Sequence, residues 1–181
     1  MHRHPKLILL NGPAGVGKNT IAQAYLADHP LALNAETDLL IAQLGGWLQH
    51  ENLAWPLAFS LVKSITRAHL LAGYDVIVPF LLLDTKDAEA LEAIADETKA
   101  RFVEIALVTT RDDAIARMFE RGSWGEPGSP PLAEADRPLV EQKYDKFAQT
   151  LAKRPLAHQI TSVKGEVAST YKQVLATINL S

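Results

Sequence analysis

One stretch constrains this chain more than any other. Gly12-Pro13-Ala14-Gly15-Val16-Gly17-Lys18-Asn19-Thr20 follows a continuous apolar run, Lys6 to Asn11, and opens a segment with helical spacing. An apolar run bounded by glycines reads as a buried parallel strand. Strand, glycine-rich loop and helix together are the context that the phosphate-binding loop motif requires. Glycines let the backbone turn its N–H groups inward around an anion. The helix adds unpaired N–H groups and the positive end of its dipole. Lys18 adds a point charge toward the terminal phosphates of a nucleotide such as ATP. A glycine-rich turn without a ligand is the alternative, and the strand–loop–helix setting speaks against it.

One position departs from the motif. A Ser or Thr normally follows the lysine and offers its hydroxyl to Mg²⁺; here Asn19 does, with Thr20 next. Asn19 can supply a carbonyl ligand, or Mg²⁺ can be held through water. Pro79, at the end of the third apolar run, stands where an Asp often holds the metal through water.

The rest of the chain alternates strand-like and helix-like segments. Helices are expected from Lys18 to Asp28 and from Thr37 or Asp38 to the Gly45-Gly46 pair. A long one opens at Pro56, with Ala58, Leu61, Val62, Ile65, Ala68 and Ala72 as its apolar stripe. Others follow Asp84 or Thr85 and Thr110, resume near Asp136, and run from Glu166 to Ile178. Strands are expected at Leu31–Leu33, Asp75–Phe80, Phe102–Val108 and His158–Val163. Such alternation means βαβ units, hence an α/β fold with a parallel sheet covered on both faces. Residues 122–135 hold three glycines and three prolines, the mark of a functional or mobile loop. A length of 181 residues suits a single domain, 1–181, with residues 122–135 as its lid.

From Leu7 to Arg121 the chain resembles the small-molecule kinases of the P-loop NTPase fold: shikimate and gluconate kinases, chloramphenicol phosphotransferases and zeta toxins. The carriers are Asn11-Gly-Pro-Ala-Gly-Val-Gly-Lys18, Asp38 just past the second strand, and the arginine-bearing helix before the lid. Trp55-Pro56-Leu57-Ala58-Phe59 and Val76-Ile77-Val78-Pro79 are similar to the tunicamycin-resistance proteins. Adenylate kinases also lack a hydroxyl after the lysine while keeping the Thr that follows. The resemblance implies a five-stranded parallel sheet in nucleoside-monophosphate-kinase order, with ATP phosphates on residues 12–20.

It also implies roles. An acid at the place of Asp38 contacts the acceptor hydroxyl and can take its proton; Asp38 can equally cap a helix. Glu36 and Asp84 are further candidates. Arg117 and Arg121, one helical turn apart, would be brought onto the transferring phosphoryl group by the lid, with Arg117 also on the nucleotide. Surface pairing with Glu120 or Asp113 is the alternative. Arg137 lies just beyond the lid. Trp47, His50 and Trp55 fall where the resembling enzymes bind the acceptor, and Trp124 sits in the lid. The histidines have no metal-ligand spacing, and His2 and His4 read as tail residues.

Composition bounds the partners. A formal charge of −3 gives no basic excess for nucleic acid. No cysteine is present, which excludes disulfides, thiolate metal sites and a cysteine nucleophile. The basic start precedes only Leu7–Leu10, too short for a signal peptide or a span. We therefore expect a cytoplasmic, membrane-free monomer or homodimer. Its expected activity is ATP-dependent phosphotransfer to a hydroxyl of a small acceptor, with ATP and Mg²⁺ as cofactors. A nucleotide-binding resistance or regulatory protein without transfer is one alternative. A nucleoside monophosphate kinase is another, disfavoured because only Arg67 lies between Thr37 and Phe80.

Overall fold

The computed structural model describes residues 4–180; Met1, His2 and Arg3 lie outside the described residues. Five parallel strands form one sheet: β1 (Lys6–Asn11), β2 (Leu33–Asn34), β3 (Val76–Phe80), β4 (Arg101–Val108) and β5 (His158–Thr161), in the order β2-β3-β1-β4-β5. β1 is central, pairing Leu10 with Pro79 of β3 on one side and Ile105 of β4 on the other. The helices are α1 (Lys18–Asp28), α2 (Thr37–Ile41), α3 (Glu51–Leu71), α4 (Thr85–Thr98), α5 (Arg111–Arg121), α6 (Arg137–Leu151) and α7 (Val167–Leu180).

β1 is apolar without alternation because both its faces are covered. Ile8 and Leu10 meet Ile21 and Tyr25 of α1 and Val174 and Ile178 of α7. Leu7 and Leu9 meet Val62 and Leu70 of α3 and Leu91 and Ile94 of α4. Each strand residue thus loses its water to one layer or the other. The expected strand order and the two covered faces are both present.

Three local expectations are corrected. α3 starts at Glu51, so Pro56 lies inside the helix and not at its head. A proline there deprives the first turns of one i→i−4 bond, which a 21-residue helix packed on the sheet tolerates. The buried stripe of α3 is Ala54, Ala58, Val62, Thr66 and Leu70, each four residues on. Leu61, Ala68 and Ala72 face solvent, so the apolar spacing selected a face rotated from the packed one. β2 is Leu33–Asn34, not Leu31–Leu33: Leu31 has φ 67° and is 65% exposed.

Pro79 has a structural part. Leu33 N donates to Asp75 O and Ala35 N to Ile77 O, both at 2.9 Å. The next rung of this parallel ladder would need an N–H from Pro79, which has none. The β2–β3 ladder therefore stops there, and the chain after Ala35 turns over the carboxyl ends of the strands.

Candidate functional site

Ligands of parallel α/β sheets collect at the carboxyl ends of the strands, and the phosphate loop lies there. Gly12 must be glycine: a Cβ on it would stand 2.7 Å from the Leu107 carbonyl oxygen and 2.9 Å from Val16 Cγ1. Gly15 (φ 77°) and Gly17 (φ 100°) take left-handed conformations, Gly17 as the N-cap of α1. The loop is braced from below: Asn11 Oδ1 accepts from Leu82 N at 3.0 Å, and Val16 O accepts from Ser162 Oγ at 2.8 Å. Lys18 Nζ donates to the carbonyls of Gly12 (2.8 Å) and Pro13 (2.9 Å), so its charge lies over the loop. Burial pushes the Lys18 pKa down to about 8, against the pull of Asp38.

Lys18, Asp38 and Arg121 line one cleft of about 740 Å³ with Asn19, Thr20, Trp55, Phe80, Asp87, Trp124, Glu126 and Lys143. Asp38 stands in the first turn of α2 and carries no hydrogen bond among the described residues. Burial and the neighbouring Glu126 push its carboxyl up to about 6. Arg121 turns its guanidinium onto the carbonyls of Ser123 (2.9 Å) and Trp124 (2.7 Å), tying residues 122–135 to α5. Gly125 (φ 116°) is seated between the two; a Cβ on it would lie 3.4 Å from Arg121 and 3.5 Å from Asp38 Oδ2.

Arg117 faces a second cleft, of about 310 Å³, between the phosphate loop and the β5–α7 connection. It donates to Ser162 O at 3.1 Å. Arg121 borders both clefts, whereas Arg117 does not reach the one that holds Asp38. Neither arginine pairs with Glu120, which is held by Lys164 at 2.6 Å.

Comparison with known proteins sets this geometry in a family. The model of the AAA domain matches residues 7–137. The chain belongs to the AAA domain family. Solved structures similar to this AAA domain include a candidate kinase from Chloroflexus aurantiacus (17% identity, TM-score 0.70, covering 97% of this chain and 99% of that one). The Deinococcus radiodurans tunicamycin resistance protein (19%, 0.58, 98% and 97%) is another. A third is a gluconokinase from Sinorhizobium meliloti (16%, 0.63, 98% and 97%). At these identities the likeness establishes a P-loop kinase fold. No curated protein matches the chain.

The remaining candidate residues of the AAA domain sort by where they sit. Glu36 is buried, its carboxylate accepting from Asn19 Nδ2 and, at 3.3 Å, from Asn34 Nδ2; burial is also the main cause that raises its pKa. Asp84 is the α4 cap, accepting from Lys86 N at 3.1 Å. Arg137 pairs with Glu134 and stacks over Phe119, away from the cleft. Trp55 lines the cleft, while Trp47 is buried against Ile41, Ala54 and Ala58. Trp124 packs with Ile115, Met118 and Val140 beneath Lys143. Exposed His50 precedes α3. His4 borders a separate cleft beside His29 and Asp75.

Sequence reasoning missed Asp87, Glu126, Lys143 and the Ser162–Gly165 turn. The polar, glycine-bearing turn after the last strand carried a readable signal, since such turns lie at the ligand edge of a parallel sheet. Asp87 is signalled only by its place in the first turn of the helix after β3. Glu126 and Lys143 come from a loop and a helix with no local pattern.

Among the described residues no group of three or more His, Asp or Glu is arranged to hold a metal ion. Mg²⁺ at phosphates needs fewer, because it keeps waters and takes one or two protein oxygens. Asn19, Thr20 and Asp38 share the phosphate cleft. The Asn19 nitrogen is committed to Glu36, which leaves its Oδ1 as the donor. These residues fit the ion. Among the described residues no helix is long and apolar enough to cross a membrane.

Proposed function

We propose that this chain is an ATP-dependent phosphotransferase acting on a hydroxyl of a small acceptor. One observation carries the reading: a half-buried carboxylate without a hydrogen-bond partner, Asp38, shares a cleft with Lys18 of the phosphate loop and with Arg121. A carboxyl that titrates near neutral pH suits a group that orients a hydroxyl and takes its proton.

ATP phosphates lie on residues 12–20, with Lys18 turning from the loop carbonyls to the β- and γ-phosphates. The base enters the second cleft, between Arg117 and the Ser162–Gly165 turn. Asn19 and Thr20 would hold Mg²⁺, which would supply positive charge against the phosphates. The acceptor oxygen bonds to the γ-phosphorus as the bond to the β–γ bridging oxygen breaks. ADP leaves with that electron pair, and the hydroxyl proton passes to Asp38. Arg121 stabilises the charge on the equatorial oxygens, and residues 122–135 act as the lid that excludes water. The whole chain works as one domain, a monomer or homodimer in the cytoplasm.

Calorimetry with ATP, with and without Mg²⁺, tests the reading alongside Lys18→Ala. Micromolar binding that Mg²⁺ strengthens and the variant loses is the expected result. Unchanged turnover in Lys18→Ala sinks the proposal. Asn19 tied to Glu36, together with Pro79, favours a second reading, a nucleotide-binding protein that transfers nothing. ATP binding indifferent to Mg²⁺ moves that reading to the front.

A further inference from the structure

The phosphoryl-transfer reading uses Lys18, Asp38 and Arg121 and leaves the far wall of the same cleft unexplained. That wall combines apolar surface with negative charge. Trp55, Phe80, Leu81, Leu83 and Trp124 supply the apolar part. Asp87 and Glu126 supply carboxylates beyond Asp38.

The cations of the cleft are spoken for. Lys18 and Arg121 serve the phosphates, and Lys143 lies with its Nζ 4.7 Å from the Trp124 ring centroid. Arg67, the one arginine between Thr37 and Phe80, is on the surface with Glu97 at 2.9 Å. An acceptor carrying a carboxylate or phosphate would meet Asp38, Asp87 and Glu126 there, and Lys143 is the one cation lining the cleft that the phosphates do not use. Like charges in a partly desolvated cleft repel strongly.

Asp87 is the telling residue. It projects from the first turn of α4, is partly buried, and receives no hydrogen bond or ion pair among the described residues. Lys63 is near enough to be felt but makes no ion pair with it, its Nζ lying 5.3 Å from the Phe59 ring centroid. Burial and the like charge of Asp84 push the Asp87 carboxyl up, so the fold holds it at a cost. A helix gains from a first-turn acid, but an exposed one would serve it as well. A cation arriving in the cleft would supply the missing partner.

Resting on the phosphotransferase reading, we infer that the acceptor is an amine-bearing alcohol with an apolar or aromatic body, its ammonium held at Asp87. The rings of Trp55 and Trp124 flank the body, and Glu126 adds to the field that draws the cation in. The ammonium keeps its proton throughout; the hydroxyl is the group phosphorylated, and its proton goes to Asp38 as before.

The test uses three aromatic alcohols of similar shape: phenylalaninol, phenylpropanol and phenyllactate. Phosphoryl transfer from ATP is followed for each, and binding is measured by calorimetry with a non-hydrolysable ATP analogue present. Phenylalaninol is expected to exceed phenylpropanol in kcat/KM by about ten- to a hundredfold, the worth of a charge-assisted hydrogen bond. Phenyllactate should not be used. Asp87→Asn should erase that preference without changing ATP affinity, and Asp87→Glu should keep part of it. Equal use of the three alcohols overturns the inference, as does a preference that survives Asp87→Asn. Lys18-dependent ATP binding with no turnover or binding of phenylalaninol also overturns it, and leaves the nucleotide reading standing. Absence of ATP binding in the parent chain removes the phosphotransferase reading itself.

Discussion

The two ends of the large cleft are built by opposite rules. At the proposed phosphate end six residues of one nine-residue stretch, 12–20, line the surface, and Lys18 lies over the loop carbonyls of Gly12 and Pro13. At the proposed acceptor end the surface comes from α2, α3, β3, α4 and α6, one or two residues from each, from Leu81 and Leu83 after β3, and from residues 123–126 of the 122–135 segment. A ligand common to many proteins can be met by a local motif. A particular ligand is met by residues that only the tertiary fold assembles. On the proposed reading, the first end tells what kind of chemistry is present, and the second what it acts on.

Substitutions should separate the two ends, and the largest effect belongs to the phosphate end. Lys18→Ala is expected to lower turnover at least about a thousandfold and to weaken ATP binding in calorimetry. Loss confined to one acceptor, with ATP binding intact, would break the division. Asp38→Asn joins the ends: turnover should fall roughly a hundred- to ten-thousandfold with ATP affinity kept. Its stability should move the other way. The folded pKa of about 6 lies above the ordinary 3.8, so ionised Asp38 costs stability that is fully felt above pH 6 and vanishes below the unfolded value. Asp38→Asn should thus melt higher at pH 7.5, by about 1–3 kcal/mol, and should gain nothing at pH 3.

The pH profile of kcat/KM sharpens the same comparison. Activity should rise as Asp38 ionises near pH 6 and fall as Lys18 loses its proton near pH 8. Glu126→Gln removes a like charge beside Asp38, so the acid limb should shift to lower pH while the alkaline limb stays. A shift of both limbs would mean that the ends are not independent. The smallest effect is expected from Ser162→Ala. Loss of one hydrogen bond to Val16 O should cost on the order of 1 kcal/mol in melting and weaken ATP binding modestly.

Legibility in the sequence followed the same division. The Lys6–Asn11 run, the glycines and Lys18 are contiguous, so the central strand, the loop and the start of α1 could all be read from them. Strand order came through resemblance, because hydropathy carries no record of which strand lies beside which. The α3 stripe was misplaced because Leu61, Ala68 and Ala72 are apolar yet exposed, and no helical period distinguishes a packed apolar face from a solvated one. Trp47 and Trp55 are eight residues apart and alike in chemistry; only the turn at Gly46 (φ 67°) and the placement of α3 send one to a core and the other to the cleft. Asp87 and Glu126 are ordinary acids until the fold sets them on one cavity.

The clasp between Ser162 and Val16 has a consequence for how the molecule is made. The two residues are 146 positions apart. At a synthesis rate of about 5–20 residues per second, the ribosome adds the phosphate motif roughly seven to thirty seconds before its brace exists. Arg117, which bonds the same serine, waits with it. For that interval the nascent chain displays the motif without the finished pocket. On the proposed reading, nucleotide binds most tightly once the chain is complete through Ser162, and adds that share of its binding energy at the close of folding rather than at its start.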